Sequence, residues 1–272
     1  MLVQTGTGAQ MDRPVSVSTE LPRYLERLSK PRERGKRDRS ETADYSDLNR
    51  FTSGLNAGEL IVITGRPSTG KTTLALNIAL SAAVNRVLPT AIFSPNLSCE
   101  QIMLRLVAGM GRFDPSEVLK RRLTAKDWDR IDVAADVLSR APIFVDDTTN
   151  MSTARLRRRV LDLKDDNGLG LVIVDELQGL CPTERDVIGV PTARSIPKAL
   201  KGMARELDVP VVAVSRLSRR AERRRSNRMV LSDLWGSGVE HDADLIVSLF
   251  RREFYCWGRI GSLKLYEVPR KK

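Results

Sequence analysis

The stretch "ELIVITGRPSTGKTTLALNIAL", Glu59 to Leu80, decides the fold. Its first half, Leu60 to Ile63, is apolar at every position and closes on Thr64 and Gly65. A strand that stays apolar instead of alternating is buried on both faces of a sheet. Its second half, from Lys71, is rich in Leu and Ala and reads as a helix. Between them, Gly65, Arg66, Pro67, Ser68, Thr69, Gly70, Lys71 and Thr72 match G-x-x-x-x-G-K-[ST]. The strand before and the helix after are the context this phosphate-loop motif requires. Its glycines let backbone N–H groups face a phosphate, and the helix N-terminus adds its positive end. Lys71 is expected at the β- and γ-phosphates and Thr72 at Mg²⁺. Residues 65–73, Thr73 included, are the expected nucleotide-binding set, with ATP and Mg²⁺ as ligands.

Working outward, the same apolar strand type recurs in "TAIFS", "PIFVDD", "LVIVDE", "PVVAVS" and "ADLIVSLF". Helical stretches separate these runs. "AKDWDRIDVAADVLSR" sets Trp128, Ile131, Ala135 and Leu138 on one helical face, and "STARLRRRVLDLKDDNG" is a helix closed by Gly168. Alternating short strands and helices imply an α/β fold, a mostly parallel sheet with helices on both faces.

Three further stretches carry chemistry. In "LVIVDELQ", Asp175 ends a buried strand, the position for a carboxylate that binds Mg²⁺ through water, and Glu176 is its neighbour. In "AIFSPNLSCEQ", Ser98 and Gln101 form a capping box at a helix start. The turn before it carries Asn96 where a phosphate-loop ATPase often places the carboxylate that orients the attacking water. From Arg216 to Arg228 the sequence is "RLSRRAERRRSNR", seven arginines and one glutamate in thirteen residues with no apolar period. Arg216, Arg219, Arg220, Arg223, Arg224, Arg225 and Arg228 are the expected nucleic-acid contacts, because guanidinium forks suit phosphates and stack on bases.

The chain has 272 residues and a net charge of +11, a balance that fits a polyanionic partner. Aromatic residues are 5% of the total, which argues against recognition by stacking bases across a sheet. Cys99, Cys181 and Cys256 show no C-x-x-C spacing, so neither a disulfide framework nor a zinc site is expected, and a cytoplasmic setting fits. His241 is the sole histidine, which excludes a metal site built from imidazoles. No apolar run approaches the ~20 residues of a membrane span. At the N-terminus, residues 1–19 are polar and read as disordered. "LPRYLERLSK" reads as a short amphipathic helix at about residues 20–29, and "PRERGKRDRSE" reads as a basic linker. A motor domain is then expected over 48–272. The Leu21–Leu28 stripe cannot stay exposed, so it docks on its own domain or on a neighbouring subunit.

Taken in order, these stretches resemble the C-terminal, RecA-like motor domain of the DnaB-type replicative helicases. "SDLNRFTSGLNAGELIVITGRPSTGKTTLALNIA", "GLGLVIVDELQGL", "LKGMARELDVPVVAVSRL" and "LSDLWGSGVEHDADLIVSLFRREFY" look like the family's motifs over about residues 20–270. The resemblance implies a hexameric ring with ATP at subunit interfaces and single-stranded DNA held by loops in a central channel. It also implies that the Leu21–Leu28 helix is the linker helix that packs on the next subunit. The family's separate N-terminal helical domain is not expected here, with only about 50 residues ahead of the motor.

Several positions depart from the family pattern. The family has Ser-Leu-Glu-Met-Ser where this chain has Ser94-Pro95-Asn96-Leu97-Ser98, and that Glu activates water. Asn cannot accept a proton at neutral pH, although it can orient a water. The family has Gln at Arg216, a position that links the γ-phosphate state to the DNA loops, and an aromatic residue at Glu176. Its Lys-x-Arg finger segment survives only as "CWGRIGSLKL", with Arg259 and Lys264 as weak substitutes. Two accounts of Asn96 stay open. In one, Glu176 beside the metal carboxylate serves as base; in the other, nucleotide binds but turnover is slow or lost. The functional expectation is a DnaB-like, ATP-dependent helicase acting on single-stranded DNA in replication, as a homo-oligomeric ring or a partner of another helicase. The alternative is a weakly hydrolysing nucleotide-binding module that loads or regulates a helicase or recombinase. A third reading, a RecA-like ATPase acting on protein, is opposed by the arginine run.

Overall fold

The computed structural model describes residues 15–29, 55–120, 123–182, 195–218, 229–234, 238–251 and 263–267. Among the described residues eight strands form one sheet: β1 (Val15–Ser16), β2 (Leu60–Gly65), β3 (Thr90–Phe93), β4 (Ile143–Asp146), β5 (Leu171–Asp175), β6 (Val211–Arg216), β7 (Leu245–Arg251) and β8 (Leu263–Glu267). Their order is β1-β4-β3-β5-β6-β2-β7-β8. The six central strands are parallel, while β1 and β8 close the two edges antiparallel.

Every residue of β2, β3 and β5 is buried, as their unbroken apolar runs required. Alternate residues feed two cores. On one face Ile61, Ile63, Ile92, Ile173, Val212 and Val214 pack under α2 (Lys71–Leu80), α3 (Cys99–Gly111) and α5 (Ala125–Arg140). On the other, Val62, Phe93, Val172, Val174 and Ala213 pack under α6 (Thr153–Asn167) and α7 (Ser195–Leu207). Each Val, Ile or Phe so buried contributes about 1.5–3 kcal/mol relative to exposure. Two short helices, α4 (Pro115–Leu119) and α8 (Val239–Asp242), complete the layers. The helix expected as one run from Lys71 changes at Ser81 into a wider π turn, Ser81–Asn85.

Local signals act as the sequence reading expects. Ser98 and Gln101 form the reciprocal capping box of α3, and Gly168 caps α6 in the left-handed region. On α5, Ile131 and Leu138 are buried, with Trp128 and Ala135 packed partly against the same core. The phosphate-loop strand is anchored at its start. Asp244 accepts the Leu60 N–H at 2.7 Å and pairs with Lys201, whose ammonium also donates to the Gly58 carbonyl at 2.8 Å.

The N-terminal segment corrects two expectations. Residues 15–19, expected to be disordered with the polar stretch before them, form β1 and the first turn of a helix, because β1 pairs with the open edge of β4. Residues 1–14 lie outside the described residues. The helix itself is longer than expected, α1 spanning Val17–Ser29, and it packs on α5, α3 and β4 of the same chain. Val17 and Leu21 are buried in the domain core, with Leu25 against it. The described residues of the stripe, Leu21 and Leu25, therefore pack on this chain's own domain. The basic linker expected after α1 lies outside the described residues.

Candidate nucleotide site

All parallel strands deliver their carboxyl ends to one edge of the sheet, and that edge is where an open α/β sheet binds ligands. Gly65 ends β2 there and α2 starts at Lys71. A β-carbon at Gly65 would stand 2.7 Å from the Leu249 carbonyl oxygen and 2.7 Å from Thr69 Oγ1, so only glycine fits. Gly70 caps α2 with φ 96°, a left-handed geometry that side chains resist. Within the turn, Thr69 Oγ1 donates to the Arg66 carbonyl at 2.8 Å. The buried Lys71 ammonium donates to the carbonyls of Gly65 at 3.0 Å and Arg66 at 2.8 Å. An ammonium has three donors, so one remains for a ligand. Pro67, Ser68 and Thr73 are exposed around this cradle.

Burial lowers the Lys71 pKa, and the nearby carboxylates of Glu176 and Asp175 work against that shift. Asp175 closes β5 with its side chain buried, and it accepts a hydrogen bond from Thr72 Oγ1 at 3.2 Å. Its pKa is raised, chiefly by desolvation; the Thr72 hydrogen bond opposes the rise, as do the charges of Arg105 and Lys71. A hydroxyl and a buried, desolvated carboxylate side by side are a fitting donor pair for a hard divalent cation. Thr72 and Asp175 are the residues that would hold Mg²⁺. Among the described residues no cluster of three or more His, Cys, Asp or Glu offers another metal site.

Glu176 is the residue on which the two accounts of Asn96 turn. Successive strand residues face opposite ways, which would aim Glu176 away from Asp175. The strand ends at Asp175, however, so the alternation does not extend to its neighbour. Glu176 is buried, and its charge is felt at both Lys71 and Asp175. Its Oε1 accepts from Asn96 Nδ2 at 3.1 Å and also pairs with the Arg216 guanidinium. Asn96 sits in a turn held from below: Ser94 Oγ donates to the Asp175 carbonyl at 2.8 Å and accepts the Leu97 N–H at 3.3 Å. Gly179 presses on that turn, since a β-carbon there would approach Pro95 to 2.9 Å and Asn96 Nδ2 to 3.2 Å.

Sequence reasoning missed Gln178. It lies in a 3₁₀ turn, Leu177–Gly179, and bridges to the end of β6. Gln178 Nε2 donates to Ser215 Oγ at 3.2 Å, and its Oε1 accepts the Arg216 N–H at 3.3 Å. The only available signal was one amide side chain among Leu177, Gly179 and Leu180. Arg105 and Ser94 were missed too, because nothing in their local sequence marks them. Of the arginine run, Arg216 is described; Arg219, Arg220, Arg223, Arg224, Arg225 and Arg228 lie outside the described residues, as does Arg259. Lys264 falls in the edge strand β8.

The profile of the DnaB-like helicase C terminal domain matches residues 42–265. The chain belongs to that family. It is 37% identical over 213 residues to the replicative DNA helicase DnaB of Geobacillus stearothermophilus, covering 78% of this chain and 47% of that protein. It is 36% identical to the replicative DNA helicase DnaC of Bacillus subtilis, again over 213 residues, with the same shares of 78% and 47%. The chain thus spans about half the length of the curated relatives it matches. Among solved structures it resembles an isolated ATPase domain, with TM-score 0.76 and 26% identity, covering 94% of this chain and 91% of that one. It also resembles a DnaB-like replicative helicase studied with its interactions with primase, with TM-score 0.75 and 28% identity, covering 90% of this chain and 61% of that one. The fold is therefore the RecA-like one of the family. Asn96, Glu176 and Arg216, three of the positions at which the sequence reading expects a departure from the family pattern, form a single contact group in space.

Proposed function

We propose that this chain is an ATP-driven motor domain that couples ATP binding and hydrolysis to movement on single-stranded DNA in replication. One observation carries the reading: the phosphate-loop lysine is buried beside two carboxylates, with the Thr72 hydroxyl 3.2 Å from Asp175. Family membership supplies the DNA side of the proposal.

In this reading the loop from Gly65 to Thr73 cradles the phosphates with backbone N–H groups, and Lys71 places its remaining donor on the terminal phosphate. Thr72 and Asp175 would hold Mg²⁺, whose charge would offset that of the phosphate oxygens. Glu176 is the base. It takes one proton from the attacking water as the water oxygen bonds to the terminal phosphorus and the bond to the bridging oxygen breaks, giving ADP and phosphate. Asn96 orients the carboxylate, for an amide donates a hydrogen bond but accepts no proton at neutral pH. The arginines from Arg216 to Arg228 contact the DNA backbone, and the active form is a homo-oligomeric ring, a hexamer by family resemblance. A cytoplasmic setting is part of the same reading; no described helix is long and apolar enough to cross a membrane.

A second reading has one observation in its favour: Glu176 is tied to Arg216 and Asn96. A base so engaged turns over slowly, which suits a nucleotide-binding module that loads or regulates a helicase or recombinase. ATP turnover with and without single-stranded DNA separates the two. The motor reading expects slow hydrolysis that DNA stimulates. Tight ATP binding with no turnover in either condition would establish the second.

A further inference from the structure

We propose that a buried water molecule binds between the hydroxyls of Thr64 and Ser248, on the sheet face opposite α2. This site does not depend on the phosphate loop being a nucleotide site.

Register places three hydroxyls in one row. Thr64 of β2 is the partner of Ser215 on β6 and of Ser248 on β7. Side chains alternate along a strand, so in-register residues of parallel neighbours leave the sheet on the same face. The residues two before them identify that face: Val62, Ala213 and Ile246 all belong to the core under α6 and α7. On the other face Leu74 and Leu76 of α2 pack with Ile61 and Ile63. A water at this row is therefore a different one from the water that Glu176 would activate. The row is closed to solvent, with Thr64 and Ser215 fully buried and Ser248 5% exposed.

The three hydroxyls are bonded unequally. Ser215 Oγ accepts from Gln178 Nε2 at 3.2 Å and donates to the Arg216 carbonyl at 3.2 Å. Thr64 Oγ1 has no hydrogen-bond partner among the described residues. A hydroxyl offers one donor and two acceptor sites, so Ser215 has spent its donor and one acceptor. The side of Thr64 with capacity for a guest is that of Ser248. Distance then selects the guest. Neighbouring strands lie about 4.8 Å apart, too far for two hydroxyls at the same level to bond directly. One atom making two hydrogen bonds of about 2.8 Å bridges such a gap. Water has that size, and it both donates and accepts. A cation would need a carboxylate or a larger set of oxygens, and two hydroxyls supply neither. Two polar partners are enough to hold a buried water, and an unbonded buried hydroxyl costs the fold more than ordering one water.

Crystallography and a double-mutant cycle on the full chain test this. High-resolution electron density of the wild-type protein is expected to show one water within hydrogen-bond distance of both Thr64 Oγ1 and Ser248 Oγ. Thr64→Val keeps the shape of the side chain and removes its hydroxyl. It is expected to lower the melting temperature by about 2–4 °C, the shift that one buried hydrogen bond is worth in a domain of this size. Ser248→Ala is expected to do the same. The double variant should be no worse than either single one, because the first substitution already expels the water. A Thr64 hydroxyl without water gives the opposite sign: Thr64→Val then raises the melting temperature by removing a buried, unbonded group. That rise overturns the proposal, as do additive losses in the double variant and wild-type density with no water between the two hydroxyls. If Thr64→Val does not fold, the wild-type density decides alone.

Discussion

At Lys71 the site is made of backbone. The Gly65 and Arg66 carbonyls hold the ammonium, Gly65 has no room for a side chain, and Gly70 turns the chain into α2. At Glu176, on the same sheet edge, it is made of side chains. An amide from the turn after β3, a carboxylate after β5 and a guanidinium at the end of β6 meet at one oxygen. A backbone cradle loses its shape with any substitution that gives a glycine a side chain. A side-chain cluster can be rewired one residue at a time while its charge stays balanced. That difference would let a chain keep a complete phosphate loop while its residues at 96, 176 and 216 vary together.

The largest effect that would sharpen the contrast is at Lys71. Lys71→Ala removes the point charge at the cradle and is expected to weaken ATP binding at least ~100-fold, the scale of losing a charged hydrogen bond at ~2–3 kcal/mol or more. Its melting temperature should hold, since the lysine is held only by loop carbonyls. Calorimetric titration reads this, and unchanged affinity would mean the loop is no nucleotide site.

Turnover comes next. Glu176→Gln is expected to cut hydrolysis by ~10²–10⁴-fold, the worth of a general base, with ATP still bound. Asn96→Glu should change the rate little, for the base is already present. The opposite pair of results, an inert Glu176→Gln and a faster Asn96→Glu, would make the side-chain cluster a relic and the cradle its sole working half.

A smaller effect is expected at Gly179. Gly179→Ala drives a β-carbon to 2.9 Å from Pro95, so the Asn96 turn must move. Because misplacement by an ångström can cost up to ~100-fold, a loss of about tenfold in turnover with unchanged ATP affinity is expected. Equal losses in both would show that the two halves are not separable.

The smallest effect is on stability. Burial raises the Asp175 pKa, so at neutral pH its charged form costs the fold free energy. Asp175→Asn removes that cost and keeps an oxygen for Thr72. The melting temperature in chelator should rise by about 2–4 °C for each kcal/mol relieved. A lower melting temperature would mean the carboxylate holds the strand ends together.

How far the residues spoke for themselves depends on the range of the contacts involved. Strands read correctly wherever an apolar run was unbroken, as in Leu60–Ile63 and Leu171–Val174, because burial on both faces leaves a local imprint. Helix starts read correctly where the cap is three residues away, as at Ser98 and Gln101. The edge strands did not read: β1 is two residues long, and β8 shares its tract with charged residues. Nor did the docking of α1, whose apolar stripe fits either its own domain or another.

The sequence by itself determined the phosphate loop, the strand that ends at Asp175 and the parallel α/β class. Each depends on residues close together in the chain, where backbone geometry and burial leave a readable period. Only the tertiary structure decided that Glu176 comes within electrostatic reach of Lys71, that Asn96 and Arg216 meet on its Oε1, and that Gln178 ties this cluster to β6. The physical reason is separation: Asn96 and Glu176 lie 80 residues apart, and Gln178 and Arg216 lie 38 apart. No local pattern records a hydrogen bond between the ends of two different strands; it exists once the sheet has aligned them.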